Sequence, residues 1–90
     1  MSVRILRRLD DPSGTVVRAK AEADKFGSTW EGDGERGTYR LRTPLGGIEG
    51  HYFVTDSVVT FVVEKKPMVV PLALIERVLD EFLGPGGRRL

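Results

Sequence analysis

His51 is the only histidine in the chain, and histidine is the side chain best suited to move a proton near neutral pH. Glu49 lies two places before it, so on a strand both side chains project from one face. If Asp56-Ser57 closes a two-residue hairpin, Glu64 falls opposite Glu49 and the three form a small His-Glu-Glu group. A histidine oriented by a carboxylate is the beginning of a general base. It still needs a nucleophile or a substrate pocket, and no other motif supplies one. The simpler reading is a strand histidine among ordinary surface charges, so no catalytic residue is assigned and the protein is expected not to be an enzyme. With no cysteine in the chain there can be no disulfide and no thiolate zinc site. Neither a metal nor a cofactor is expected.

Gly32-Asp33-Gly34-Glu35 has the glycines of a phosphate or calcium loop but lacks the lysine and hydroxyl of a P-loop. It lies between strands, where no helix N-terminus faces an anion. It and Thr43-Pro44-Leu45-Gly46-Gly47 are better explained as turns. Arg4 with Arg8, and Arg40 with Arg42, each project from one side of a strand. With Trp30 or Phe53 they could make a basic, aromatic nucleic-acid surface. Fourteen basic residues oppose thirteen acidic ones, for a net charge of +1, and this balance favours solvated faces over such a surface.

These residues must be positioned by a single domain, because 90 residues leave no room for two. Residues 2–9 alternate as a strand with Val3, Ile5 and Leu9 on one side, although Arg7 interrupts the pattern and a helix competes. Asp11-Pro12 offers a helix a cap and a first-turn proline, with Thr15 a second possible cap because Gly14 weakens an early start. Val16, Ala19, Ala23 and Phe26 form its apolar stripe, and Gly27 ends it. Short strands follow at 29–31, 38–42, 48–55 and 58–65. Within the last hairpin Tyr52 is expected opposite Phe61, and Gly50 opposite Val63. Pro67 breaks the strand and Pro71 opens a second helix. Its stripe is Leu72, Ile75, Leu79 and Phe82, and its wet face is Glu76, Arg77, Asp80 and Glu81. Gly84 and Pro85 stop it. The expected architecture is α+β, in the order β-α-β-β-β-β-α, an antiparallel meander with both helices on one face. Residues 1–84 form the domain and 85–90 a flexible C-terminal tail.

Trp30, Tyr39, Tyr52, Phe61 and Phe82 could line a cavity between sheet and helices, but a core this small needs them as filling. The second face of the hairpin carries His51, Phe53, Val58, Thr60 and Val62, too apolar for a wet face. This group is the expected interaction surface, and a homodimer is the expected way to cover it. Arginines interrupt the N-terminal apolar stretch too often for a signal peptide, and no run approaches the ~18 apolar residues that span a bilayer. A soluble, cytoplasmic protein is expected.

Lys25-Phe26-Gly27, Trp30-Glu31-Gly32-Asp33, Gly46-Gly47-Ile48-Glu49-Gly50, the hairpin from Asp56 to Val59, and Ile75-Glu76 with Leu79 occur in this order along about two-thirds of the chain. In this the sequence resembles the polyhydroxyalkanoic acid system proteins, small bacterial proteins associated with polyester-granule gene clusters. It departs from them at Pro67-Met68-Val69-Val70-Pro71. The resemblance implies a granule or protein partner and supplies no catalytic residue. The expected function is therefore that of a non-enzymatic binding or assembly protein, with a nucleic-acid-binding module using Arg4, Arg8, Arg40 and Arg42 as the alternative.

Overall fold

The computed structural model describes residues 3–25 and 27–84, and the backbone of 87–89. The chain opens with strand β1 (Val3–Leu9). Its inward positions are Val3, Ile5, Arg7 and Leu9, while Arg4, Leu6 and Arg8 face out. Arg7 therefore keeps the alternation that it was expected to break, and it is a charge pointing inward.

Helix α1 (Pro12–Lys25) follows. Asp11 caps it, its Oδ1 accepting the Gly14 N–H at 3.2 Å, which satisfies one of the free donors of the first turn. Val16, Ala19 and Ala23 are buried as the spacing predicts, and Thr15 joins them. Phe26, the fourth member of the expected stripe, lies outside the described residues. Gly27 takes a left-handed φ of 70°, and the next N–H, of Ser28, returns to the Ala23 carbonyl at 2.9 Å.

Four strands form the meander: β2 (Thr29–Gly32), β3 (Arg36–Thr43), β4 (Gly46–Thr55) and β5 (Val58–Lys65). The β2–β3 turn is tight because the Asp33 carboxylate accepts the N–H groups of Glu35 and Arg36 at 2.8 and 3.0 Å. Those bonds, Glu35 first, hold the Asp33 carboxyl below its ordinary pKa. Asp56 and Ser57 have φ of 52° and 65°, the twisted two-residue turn that suits a hairpin. Tyr52 then pairs with Phe61 and Gly50 with Val63, as expected. Beyond Gly50 the register slips, and Glu49 pairs with Lys65. Glu64 is thus an extra residue on β5, a bulge, and is not opposite Glu49.

Helix α2 (Leu72–Leu83) buries Ile75, Leu79, Phe82 and Leu83. Leu72 leaves the expected stripe and is 40% exposed. Gly84 ends the helix with φ of 64°. Gly87–Arg89 form β6, which pairs with β1, so part of the expected tail belongs to the sheet. The strand order is β2-β3-β4-β5-β1-β6 with antiparallel neighbours. Both helices share one core with the sheet, which is the α+β architecture expected.

That core is filled with rings. Trp30 lies 5.9, 5.3, 5.8 and 6.1 Å from Tyr39, Tyr52, Phe61 and Phe82. The aromatic set is filling, and Trp30, 4% exposed, is withdrawn from any nucleic-acid surface. Tyr39 pairs with Gly50 and Tyr52 with Gly37 across the sheet. Each ring lies over its glycine; a Cβ on Gly50 would come 2.6 Å from the Tyr39 hydroxyl.

The Tyr39 hydroxyl donates to the Val62 carbonyl at 2.9 Å. Burial first, and the Glu64 carboxylate second, push this phenol well above its ordinary pKa. The unfolded chain ionises its tyrosines near pH ~10, while the folded chain holds the Tyr39 proton to higher pH. Stability is therefore full below that value and falls as pH rises beyond it. Urea midpoints measured at pH 8 and pH 11 should differ less in Tyr39→Phe than in the parent protein.

Candidate functional site

Both helices pack on one side, so among the described residues the other side of the sheet carries no helix. Alternation places on it Arg4, Leu6 and Arg8 from β1; Val58, Thr60 and Val62 from β5; and His51 and Phe53 from β4. These include every member of the expected interaction surface. Thr60 and Val62 are nevertheless only 8% and 6% exposed. They lie on a strand paired on both sides, Thr60 between Leu6 and Phe53 and Val62 between Arg4 and His51. Leu6 is the most open apolar residue of this face, at 41%, with Phe53 and Val58 half-buried.

The expected His-Glu-Glu group resolves into two pairs. The bulge turns the Glu64 carboxylate onto His51 Nδ1, and bulges commonly re-aim a side chain in this way. The His51 ring also stacks on Phe53, with centroids 6.4 Å apart and planes 26° from parallel. Glu49 is taken by Arg40, whose guanidinium reaches it at 2.8 and 2.9 Å. A hollow of about 470 Å³ opens beside these pairs, lined by Thr29, Glu31, Thr38, Arg40, Glu49 and Glu64 among others. Thr38 is opposite His51 in register, and no hydrogen bond joins the two. Among the described residues no three side chains of metal-ligating type converge.

The four arginines singled out for nucleic acid do not all meet. Arg4 and Arg8 lie on β1 and Arg40 on β3, three strand spacings away, or about 14 Å. Arg42 sits beyond the end of β2 and lines a separate hollow with Glu22, Thr43, Val78, Glu81 and Phe82. Arg36, passed over in the sequence, joins Arg40 on β3 opposite Phe53. The apolar strip is therefore bordered by Arg4 and Arg8 on one side and by Arg36 and Arg40 on the other. Glu31, Glu49 and Glu64 are interspersed.

Sequence reasoning also missed Arg7. Its Nε donates to Asp80 at 2.7 Å and an Nη to Glu76 at 2.9 Å, and its other Nη donates to the Leu6 carbonyl at 2.8 Å. The bonds to Asp80, opposed by burial and helped by Glu76, hold the guanidinium pKa above its ordinary value. Glu76 and Asp80 are thereby drawn off the expected wet face of α2. The available signal was an arginine at an inward parity together with two acids one helical turn apart. No helix among the described residues is long and apolar enough to cross a membrane. No family model, no curated protein and no solved structure matches the chain.

Proposed function

We propose that the protein is a non-enzymatic binding and assembly protein that works through the uncovered face of its sheet. The observation that carries this reading is the apolar strip of Leu6, Phe53 and Val58, with Arg4 and Arg8 beside it on β1 and Arg36 beside it on β3, Arg40 being held by Glu49. Such a face suits a partner that is apolar and negatively charged at once. A polyester particle with an anionic coat has that chemistry, in line with the resemblance to the polyhydroxyalkanoic acid system proteins.

A second copy is a poorer occupant. A two-fold axis along the strands lays β1 of one copy over β3 of the other, and an axis across them lays β1 over β1. Either way arginine rows meet, and like charges repel. Nucleic acid is the alternative reading, favoured by Arg4, Arg8 and Arg40 sharing a face with Phe53. Against it, Arg40 is already neutralised by Glu49.

Co-sedimentation with amorphous polyhydroxybutyrate particles tests the proposal. The parent protein should pellet with them, and Phe53→Asp should weaken binding about tenfold, the value of burying one aromatic side chain. Absence of binding, or equal binding by the variant, would sink the reading. Retardation of a single-stranded oligonucleotide that weakens steeply with salt would replace it with the nucleic-acid alternative. A dimer in sedimentation that Leu6→Asp dissolves would replace it with the homodimer expected from the sequence.

A further inference from the structure

The connection from β5 to α2 carries apolar residues where turns usually carry polar ones. The Val70 N–H donates to the Pro67 carbonyl at 3.1 Å, so Pro67–Val70 is a β-turn with Met68 and Val69 at its tip. Met68 is 97% exposed and Val69 70%. Val70 is fully buried and roots the turn in the core. Lys66 Nζ donates to the Val70 carbonyl at 3.0 Å and braces it. Pro67 packs on Gly46, where a Cβ would come 2.5 Å from the proline ring. That contact sets the β3–β4 turn alongside, with Leu45 49% exposed. Leu72, at the start of α2, completes the group.

We infer that this apolar end of the sheet inserts into a lipid interface with anionic headgroups. Leu45, Met68, Val69 and Leu72 would enter the acyl boundary, and Lys65 and Lys66 would meet the headgroups. Three observations point to lipid. The tip projects almost fully exposed, so it needs a soft medium and no matching pocket. The charged side chains that line the hollow at the turn are Lys65, Lys66 and Glu64, two cations against one carboxylate, and that carboxylate is turned onto His51. The turn is already held by Pro67, Val70 and Lys66, so insertion orders little backbone. The inference concerns one end of the sheet, not its open face, and it stands if that face proves inert.

The test uses vesicles of phosphatidylcholine, alone and mixed with phosphatidylglycerol. The chain has no cysteine, so Met68→Cys gives a single site for an environment-sensitive fluorophore. The parent protein should pellet with the anionic vesicles and more weakly with the neutral ones, and the label should shift to the blue on binding. Met68→Asp with Val69→Asp should weaken binding about tenfold or more, while circular dichroism stays unchanged because both positions are exposed. No binding to anionic vesicles, or equal binding by the double variant, would overturn the inference. Loss of vesicle binding in Phe53→Asp but not in the double variant would overturn it and leave the sheet face as the contact. A lipid-free dimer dissolved by the double variant would overturn it in favour of a second copy.

Discussion

Phe61→Ala is expected to cost about 3–5 kcal/mol, the range for truncating a buried aromatic ring. Phe61 is fully buried and meets Trp30 and Tyr39 edge-on, at 5.8 Å in both cases. It also packs 6.2 Å from Tyr52. The void would not close easily. Tyr39 is tied to the Val62 carbonyl, and Tyr52 donates to the Asp33 carbonyl at 2.8 Å. Neither ring can swing into the space without breaking a hydrogen bond. Small domains have only about 5–15 kcal/mol of stability in total, so the urea midpoint should fall sharply. Val17→Ala is the control: Val17 lies on exposed α1 surface, at 67%, and should leave the midpoint almost unchanged. A Phe61 cost well under about 1 kcal/mol would mean that the β4–β5 register is wrong.

Arg7→Ala should be the second large effect, at about 2–4 kcal/mol. Removing one partner of a buried ion pair typically costs ~3–5 kcal/mol. The Arg7 side chain is 6% exposed, but Glu76 and Asp80 are 28% and 36% exposed. The acids left behind can rehydrate in part, which lowers the figure. Arg7→Met separates packing from charge. It keeps most of the apolar stem, and its cost should be clearly smaller, because a well-packed apolar residue often replaces a buried ion cheaply. Chemical denaturation of both variants, with Glu76→Gln and Asp80→Asn as cycle partners, measures the coupling. Equal costs for Arg7→Ala and Arg7→Met would assign the effect to charge alone.

The hairpin was legible in the sequence because its determinants are local. Asp56-Ser57 favours left-handed backbone, and strict alternation on both sides fixes which residues face the core. The Asp11-Pro12 start of α1 was legible for the same reason. The misses needed partners far along the chain. Arg7 looked like a break in the pattern because its counter-charges lie on α2. The Glu64 bulge has no glycine to announce it, and it shifts the partner of Glu49 from Glu64 to Lys65. Gly87–Arg89 is too short to show any period. Leu72 fits the helical stripe by spacing, yet it stands in the first turn of α2 and is 40% exposed. On the open face the strip itself was legible. The burial of Thr60 and Val62 was not, because it depends on β1 pairing with β5 across most of the chain.

Among the described residues strand β1 pairs with β5 and β6 and with none of β2, β3 and β4. During translation it is therefore made before the strands it pairs with, and Val3 waits for Val63. Ile5 and Leu9 emerge from the ribosome with no strand to shelter them, and α1 has no finished sheet to cover. The meander of β2 to β5 can assemble by near-neighbour contacts, but the whole sheet closes only after most of the chain has been released. Long-range closure of this kind slows folding and leaves β1 sticky until β5 has been made. Nascent chains stalled before Val58 should on this account be the form most prone to chaperone capture.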